Sequence, residues 1–305
     1  MREPVTVNAV VQRYLQEKLP KRFSTRSAYQ YNLRNHVISK WGTVAIADLK
    51  PYAVDLWLKS LTLAPKTKVH IRGLLRILLE NAMLWEYLPV GRNPMELVNI
   101  EGATKRTEEP TNLTVEQFHS LLAQIYREPY RTMVLTAMCI GPRFSELIAL
   151  QWHDIDWKNL RVLIRRSAVR NRVDDVKTRY SAKPLPIDPG LAEILLAWRR
   201  QSQFVANSDW VWASPAMAGE KPYFYTTLLK VVQDAATKAG LDGVGWHTFR
   251  HSYRSWLDET GAPIGVQQKL MRHSDIRTTM NIYGDAIPET MREVHSKVVK
   301  MALRA

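Results

Sequence analysis

The sequence predicts a mainly α protein, with a helical N-terminal domain and a larger, mostly helical C-terminal domain that contains one small antiparallel sheet. Three observations support this prediction: apolar residues recur at helical spacing along most of the chain, one short segment alternates as a strand does, and a polar break separates two regions. A length of 305 residues fits about two domains. A composition of 46% apolar and 24% charged residues excludes wholesale disorder.

The N-terminal domain is predicted over residues 1–101. Four stretches there have helical spacing, open near Thr, Ser or Pro and end near Gly or Pro: residues 5–19, 25–39, 51–61 and 66–87. The last of these helices carries a basic stripe, which consists of Lys66, Lys68, Arg72 and Arg76. Such a stripe can contact phosphate groups, and it can equally be an ordinary solvated helix face.

Residues 102–112 are predicted to be an exposed linker. They are rich in charge, contain Gly102 and Pro110, and show no apolar periodicity.

The C-terminal domain is predicted over residues 113–305. Thr114 and Gln117 form a capping box that opens a helix to about residue 126, and two more helices follow to about residue 150. Alternation over residues 160–166 predicts a strand, and residues 184–187 predict its antiparallel partner. The remaining helices are predicted at residues 189–203, 223–239, 248–260, 263–271, 276–283 and 288–302.

The chain is strongly basic, with 43 Lys and Arg against 29 Asp and Glu, a net charge of +14. Residues 1–104 and residues 105–305 each carry half of this excess, so it is not confined to a tail. Such a balance favours a protein that binds nucleic acid along an extended path, because Lys and Arg contacts release the counterions of DNA. A basic cytosolic enzyme is the alternative that charge alone leaves open.

The single cysteine, Cys139, excludes an intramolecular disulfide framework and a multi-cysteine zinc site. It lies in an apolar run, so we predict a thiol packed in the core. No apolar run approaches the roughly 20 residues that cross a bilayer, and the N-terminus lacks a signal-peptide core.

Four segments of the C-terminal domain carry candidate chemistry. In the first, Arg143 begins a helix after Gly141 and Pro142, where unpaired backbone N–H groups can help to receive phosphate. Glu146 lies one turn later and can hold the Arg143 guanidinium in place. The second segment is a polar turn that carries Lys177.

The third segment pairs His247 with Arg250 on one helix face, which combines a proton-transfer group with a second guanidinium. His247 and His251 also have the spacing of a metal pair, but no carboxylate lies between them as in HExxH, so we predict no metal. In the fourth segment, a helix ends at His273, and Tyr283 follows ten residues later.

This order of Arg, Lys, His-x-x-Arg, His and Tyr resembles the tyrosine recombinases, the phage integrase family. Residues 141–156 resemble the family block that begins Gly-x-Arg-x-Ser-Glu-Leu and ends Trp-x-Asp-Ile-Asp. Residues 273–283 resemble its last block, with His-Ser and Thr-Thr before the tyrosine. The resemblance covers essentially the whole C-terminal domain. It implies a helical, SAM-like core-binding domain followed by an α+β catalytic domain.

By resemblance, the chain cuts and rejoins DNA at specific sites through a 3′-phosphotyrosyl intermediate, without ATP, cofactor or metal, in integration or excision of a mobile element. Arg143 and Arg250 would bind the scissile phosphate, and His273 would donate a further hydrogen bond to it. Tyr283 would be the nucleophile, His247 its acid/base partner and Lys177 the acid for the leaving 5′-oxygen.

The resemblance also implies partners and a location. We expect binding to double-stranded DNA, a homo-tetramer on two DNA sites, docking of the helix at 288–302 into a neighbouring subunit, and a bacterial cytoplasmic location on nucleoid DNA. Accessory DNA-bending proteins are left open. Many members carry an N-terminal arm-binding domain, whereas the helical domain here begins within a few residues of Met1. Either the protein lacks that domain or the sequence is trimmed.

Two residues depart from the family pattern. Pro142 replaces a more usual Leu or Met and is expected to stiffen the approach to Arg143, while Arg272 replaces a frequent Gly and could add a phosphate contact. Two other functions remain as alternatives: a type IB topoisomerase, which shares this chemistry, and a DNA-binding protein with a decayed site. Covalent attachment of Tyr283 to nicked DNA would distinguish the decayed site from an active enzyme.

Overall fold

The computed structural model describes residues 3–103, 111–170, 172–175, 184–273 and 275. The chain divides into two compact units, Met1–Glu109 and Pro110–Ala305, and each has its own apolar core. The division falls inside the stretch predicted as a linker, of which residues 104–110 lie outside the described residues. The bounds 1–101, 102–112 and 113–305 stay predictions.

The N-terminal unit is helical, as predicted. Thr6 caps its first helix by accepting a hydrogen bond from the Ala9 backbone N–H, and proline begins two later helices. The predicted helix at 25–39 is α-helical only at first, because six residues, Leu33–Ile38, continue as a π-helix. The α-helices are α1 Val7–Glu17, α2 Phe23–Asn32, α3 Ser39–Trp41, α4 Pro51–Ser60 and α5 Pro65–Leu84.

The core of this unit forms where α1 packs against α5. Val7, Val10 and Val11 recur at helical spacing on α1 and are fully buried, as are Ile71 and Leu75 of α5. The period of the apolar residues therefore fixes which face of each helix turns inward.

The helices of the C-terminal unit are mostly where the sequence predicts them. Both hydrogen bonds of the Thr114–Gln117 capping box form, although the helix ends at Ala123, before residue 126. The helices are α6 Val115–Ala123, α7 Tyr130–Ile140, α8 Phe144–Leu147, α9 Pro189–Gln201, α10 Tyr225–Lys238, α11 Trp246–Glu259 and α12 Ile264–Met271.

The strands of this unit are short and antiparallel. In one sheet, Arg161–Val162 (β2) pairs with Ile155–Asp156 (β1) on one side and with Leu185–Pro186 (β5) on the other. In the other, Arg166–Val169 (β3) pairs with Arg172–Asp175 (β4). The fold class, mainly α with a small antiparallel sheet, is confirmed.

The prediction of one continuous strand over residues 160–166 is wrong. Residues 163–165 separate β2 from β3, which belong to different sheets. Ile164 is fully buried and packs into the core, and Arg166 binds the buried Asp154 carboxylate. These anchors turn the chain from one sheet into the next hairpin.

The prediction that Cys139 packs in the core is also wrong. The apolar run of α7 is longer than one helix face, and every fourth residue, 131, 135 and 139, lies on the less buried face of the helix. Cys139 is accordingly exposed, although partial burial still raises the pKa of its thiol.

Several predictions lie outside the described residues. They concern Lys177, Tyr283 and the helices at 276–283 and 288–302. Within the part of the chain that the structure describes, no helix is long and apolar enough to cross a membrane.

Candidate active site

An aromatic contact brings the first and third segments together. Phe144, the first residue of α8, packs on Trp246, the first residue of α11, with ring centroids 5.0 Å apart. Phe249 continues the cluster one turn along α11. Because Arg143 precedes Phe144 and His247 follows Trp246, this packing places the two predicted site residues beside one another.

Arg143 is held by the carboxylate that the sequence assigns to it. Its backbone is extended at the N-cap of α8, and its N–H donates to Glu146 Oε2 at 3.0 Å while Nη1 donates to Oε1 at 2.9 Å. The Arg143 side chain is 37% exposed and that of Glu146 only 4%. The predicted ion pair is therefore present, and it leaves the Arg143 guanidinium accessible to a ligand.

Arg250 is the buried centre of the site. Its Nη1 donates to the Gly141 carbonyl and its Nη2 to the Met271 carbonyl, and Nη2 also lies 3.0 Å from His273 Nε2. The two carbonyls lie at the C-terminal ends of α7 and α12, where the helix dipole is negative. Burial and then the charge of Arg143 lower the pKa of Arg250 to about 9, so the side chain remains cationic at neutral pH.

The two predicted histidines are less basic than usual. Burial, followed by the charges of Arg250 and Arg143, lowers the pKa of His273 to about 4. The same causes lower the pKa of His247, which lies on the first turn of α11. His273 Nε2 accepts from Arg250, so its ring proton is on Nδ1. Both rings are thus neutral at pH 7 before any anion binds.

Arg272 is a site residue whose role the sequence does not reveal. The sequence allows it a phosphate contact, but its side chain has no exposed surface and its Nη2 donates to Glu146 Oε2. The expectation is wrong, because the backbone at Arg272 is left-handed, with φ +52°, and the side chain enters the interior. A charged residue where the helix ends gave no signal of a partner 126 residues away.

Tyr253 lies three residues after Arg250 on α11. Its ring packs on Gly141, the residue whose carbonyl Arg250 binds. A Cβ at Gly141 would lie 2.2 Å from this ring, so the close approach requires glycine there.

The basic stripe of α5 lies in the N-terminal unit. Lys66 is exposed, and Lys68 Nζ donates to the Lys59 carbonyl at 3.3 Å. Arg72 donates to the Val98 carbonyl at 2.8 Å, and Arg76 pairs with Glu80 and Glu96. The two arginines are thus partly occupied inside their own unit, and their contact with DNA stays a prediction.

The structure therefore brings together Arg143, Glu146, His247, Arg250 and His273 and adds Arg272. Lys177 and Tyr283 lie outside the described residues. Among the residues that are described, no group of three or more His, Cys, Asp or Glu side chains could hold a metal ion.

A profile of the phage integrase family matches residues 111–289, more than half of the chain and all of this site. The chain belongs to the phage integrase family. Among curated relatives, an integrase of Streptomyces ambofaciens is 26% identical over 276 residues, which cover 82% of this chain and 68% of that protein. The tyrosine recombinase XerC-like protein of Caldanaerobacter subterraneus is 28% identical over 183 residues, 52% of this chain and 46% of the relative. The chain thus spans about half to two thirds of these relatives.

Solved integrases share the fold. The Tn1549 transposon integrase in complex with circular intermediate DNA has a TM-score of 0.79 at 18% identity, and the match covers 96% of this chain and 99% of that one. A lambda integrase dimer bound to a core site has a TM-score of 0.72 at 15% identity over 93% of this chain and 99% of that one. At these identities the likeness is one of fold.

Proposed function

We propose that this integrase-family chain is a site-specific DNA recombinase that integrates or excises a mobile element. It cuts and rejoins DNA by strand transfer through a 3′-phosphotyrosyl intermediate. The observation that carries the proposal is the grouping of two guanidiniums, one accessible and one buried, with two neutral histidines. This grouping suits a phosphodiester that gains negative charge as it is attacked.

The arginines supply the charge. Arg143 presents a fork of N–H donors that matches two non-bridging oxygens, while Glu146 fixes its direction. Arg250 adds a desolvated positive charge, which acts more strongly than one in water because the surrounding dielectric constant is low. Two guanidiniums fixed before the substrate arrives need no reorganisation during the reaction.

The remaining residues move protons and form the covalent bond. Tyr283 attacks phosphorus as the bond to the 5′-oxygen breaks, His247 takes the phenol proton, and Lys177 protonates the leaving oxygen. His273 gives the phosphate a hydrogen bond. One phosphate ester replaces another, so the reverse attack by a 5′-hydroxyl rejoins the strand without ATP.

The proposed substrate is double-stranded DNA, bound by a homo-tetramer that holds two sites in the bacterial cytoplasm. A lambda integrase tetramer bound to a Holliday junction has the same fold, with a TM-score of 0.70. We propose that residues 288–302 dock into a neighbouring subunit, so their deletion should preserve single-site binding and abolish pairing of two sites.

Trapping on nicked DNA tests the proposed function. Duplexes that bind are first selected from a random pool, and each is then nicked just past the cleavage point so that the short fragment with the freed 5′-hydroxyl diffuses away. We expect the wild-type chain to accumulate on the 3′-phosphate, with the adduct mapped to Tyr283 by mass spectrometry. Tyr283→Phe should bind DNA and form no adduct, whereas Tyr253→Phe is the matched control that still forms it. An adduct mapped to another residue would contradict the assignment.

A further inference from the structure

The end of α12 makes three successive contacts with the site. The Met271 carbonyl accepts from Arg250, Arg272 donates to Glu146, and His273 Nε2 accepts from Arg250. Of these three residues, Arg272 has no role in the chemistry described above. Its side chain is fully buried, so it does not reach DNA directly.

The backbone explains how three neighbours can all face the site. Arg272 adopts a left-handed conformation, and the N–H groups of Arg272 and His273 close the helix on the carbonyls of Lys269 and Gln268. A left-handed residue at this position is most easily glycine. At Arg272 this conformation, with φ +52°, accompanies a side chain that enters the interior and binds Glu146.

The Arg272 guanidinium shares one carboxylate with Arg143. Glu146 Oε2 accepts both from Arg272 Nη2 and from the Arg143 backbone N–H, and Oε1 accepts from Arg143 Nη1. Arg272, at the end of α12, and the Arg143 backbone, at the start of α8, therefore both hold Oε2 in place. With Oε2 fixed, the carboxylate has one orientation, in which Oε1 faces the Arg143 side chain. Without Arg272, one of the two oxygens would lose its charged partner in a buried place.

We propose that Arg272 is a positioning residue for strand transfer, which fixes the Glu146 carboxylate and through it the direction of the Arg143 guanidinium. This inference rests on the proposed function. It couples the end of α12, which precedes the segment that carries Tyr283, to the arginine at the N-cap of α8.

Adduct formation on nicked duplex, measured at saturating DNA and separately from the dissociation constant, tests the proposal. We expect Arg272→Gly to fold, because glycine suits the left-handed backbone, and to bind duplex within about threefold of wild type. Its rate of adduct formation should fall by about 100-fold, the effect of a misplaced reacting group. Arg272→Lys keeps the charge but loses the planar guanidinium. Its rate of adduct formation should lie between the rates of wild type and Arg272→Gly. Ala218→Gly, another left-handed position in the same unit, is the control for the glycine itself and should keep the wild-type rate.

A double variant separates positioning from a general structural role. If Arg272 acts through Glu146, then Arg272→Gly combined with Glu146→Gln should be no slower than Glu146→Gln alone. A wild-type rate in Arg272→Gly, or a double variant whose loss is the product of the two single losses, would overturn the proposal. If Arg272→Gly does not fold, Arg272→Lys decides, and a wild-type rate in that variant overturns the proposal. Failure of the proposed function looks different, since the wild-type chain would then form no adduct at all.

Discussion

Arg143 and Arg250 carry the same guanidinium in opposite surroundings. Replacing either residue should slow cleavage, but the loss in the free energy of unfolding should differ between the two. Arg143 is partly exposed, whereas Arg250 is buried and binds two helix-terminal carbonyls. We expect Arg143→Ala to lower the free energy of unfolding by about 1 kcal/mol and the cleavage rate by about 100- to 1,000-fold. Arg250→Ala should lose cleavage as well and should also lower the free energy of unfolding by about 3 kcal/mol or more, because carbonyls lose a charged donor. Urea unfolding and adduct assays measure the two effects, and equal stability losses would contradict the assignment.

The lowered pKa of His273 makes stability depend on pH in a predictable direction. Its pKa is about 4 in the folded chain and near 6.5 when unfolded, so the unfolded state binds more protons between these values. Neutral His273 therefore contributes fully above pH 6.5, and this contribution falls as the pH drops toward 4. Between pH 7 and pH 5 the loss should be about 2 kcal/mol. His273→Gln should show a pH-dependent loss smaller by about that amount in urea unfolding, with His247 unchanged in both proteins. An identical loss in the two proteins would contradict the assigned pKa.

At the scale of elements, the end of α7 is a tightly packed turn of the site. Gly141 has φ +53°, and a Cβ there would overlap the Tyr253 ring, so both backbone and packing exclude a side chain. Gly240 has φ +69° with nothing within 4 Å of a Cβ, so it is the matched control for backbone strain alone. We expect Gly240→Ala to lower the free energy of unfolding by about 1 kcal/mol, and Gly141→Ala by at least about 2 kcal/mol more. Urea unfolding of the two variants measures the difference. Equal losses in the free energy of unfolding would show that the Tyr253 ring can move aside without destabilising the fold.

The elements also show where sequence can predict and where it cannot. The capping box at Thr114, the helix-starting prolines and the Arg143–Glu146 pair depend on residues a few positions apart, and all of them form. The break between β2 and β3 and the inward turn of Arg272 depend on tertiary partners, Asp154 at 12 residues from Arg166 and Glu146 at 126 residues from Arg272. The spacing of residues along the chain does not indicate such partners. The prediction for Cys139 fails for another reason, because an apolar run longer than one helix face leaves some of its residues exposed.

At the scale of the whole molecule, the division of charge predicts how DNA binding responds to salt. Both units carry a net +7, so we expect each to neutralise phosphates. A chain that neutralises about 6–10 phosphates loses about 10³–10⁵ in affinity between 50 and 200 mM salt. A plot of log affinity against log salt that is nearly flat would contradict phosphate binding by either unit.

The same measurement decides between the two interpretations of the α5 stripe. If Lys66 and Lys68 contact phosphates, replacing both by alanine should flatten the slope by about 2, since each contact contributes about 0.9. Lys18→Ala with Lys21→Ala removes the same charge from exposed positions of the same unit that lie outside the stripe, and should change the slope little. Equal flattening by the two pairs would show that the unit acts through its total charge and that α5 is an ordinary solvated face. A change confined to the stripe would instead identify α5 as a surface that touches the DNA backbone, because only direct contacts release counterions one by one.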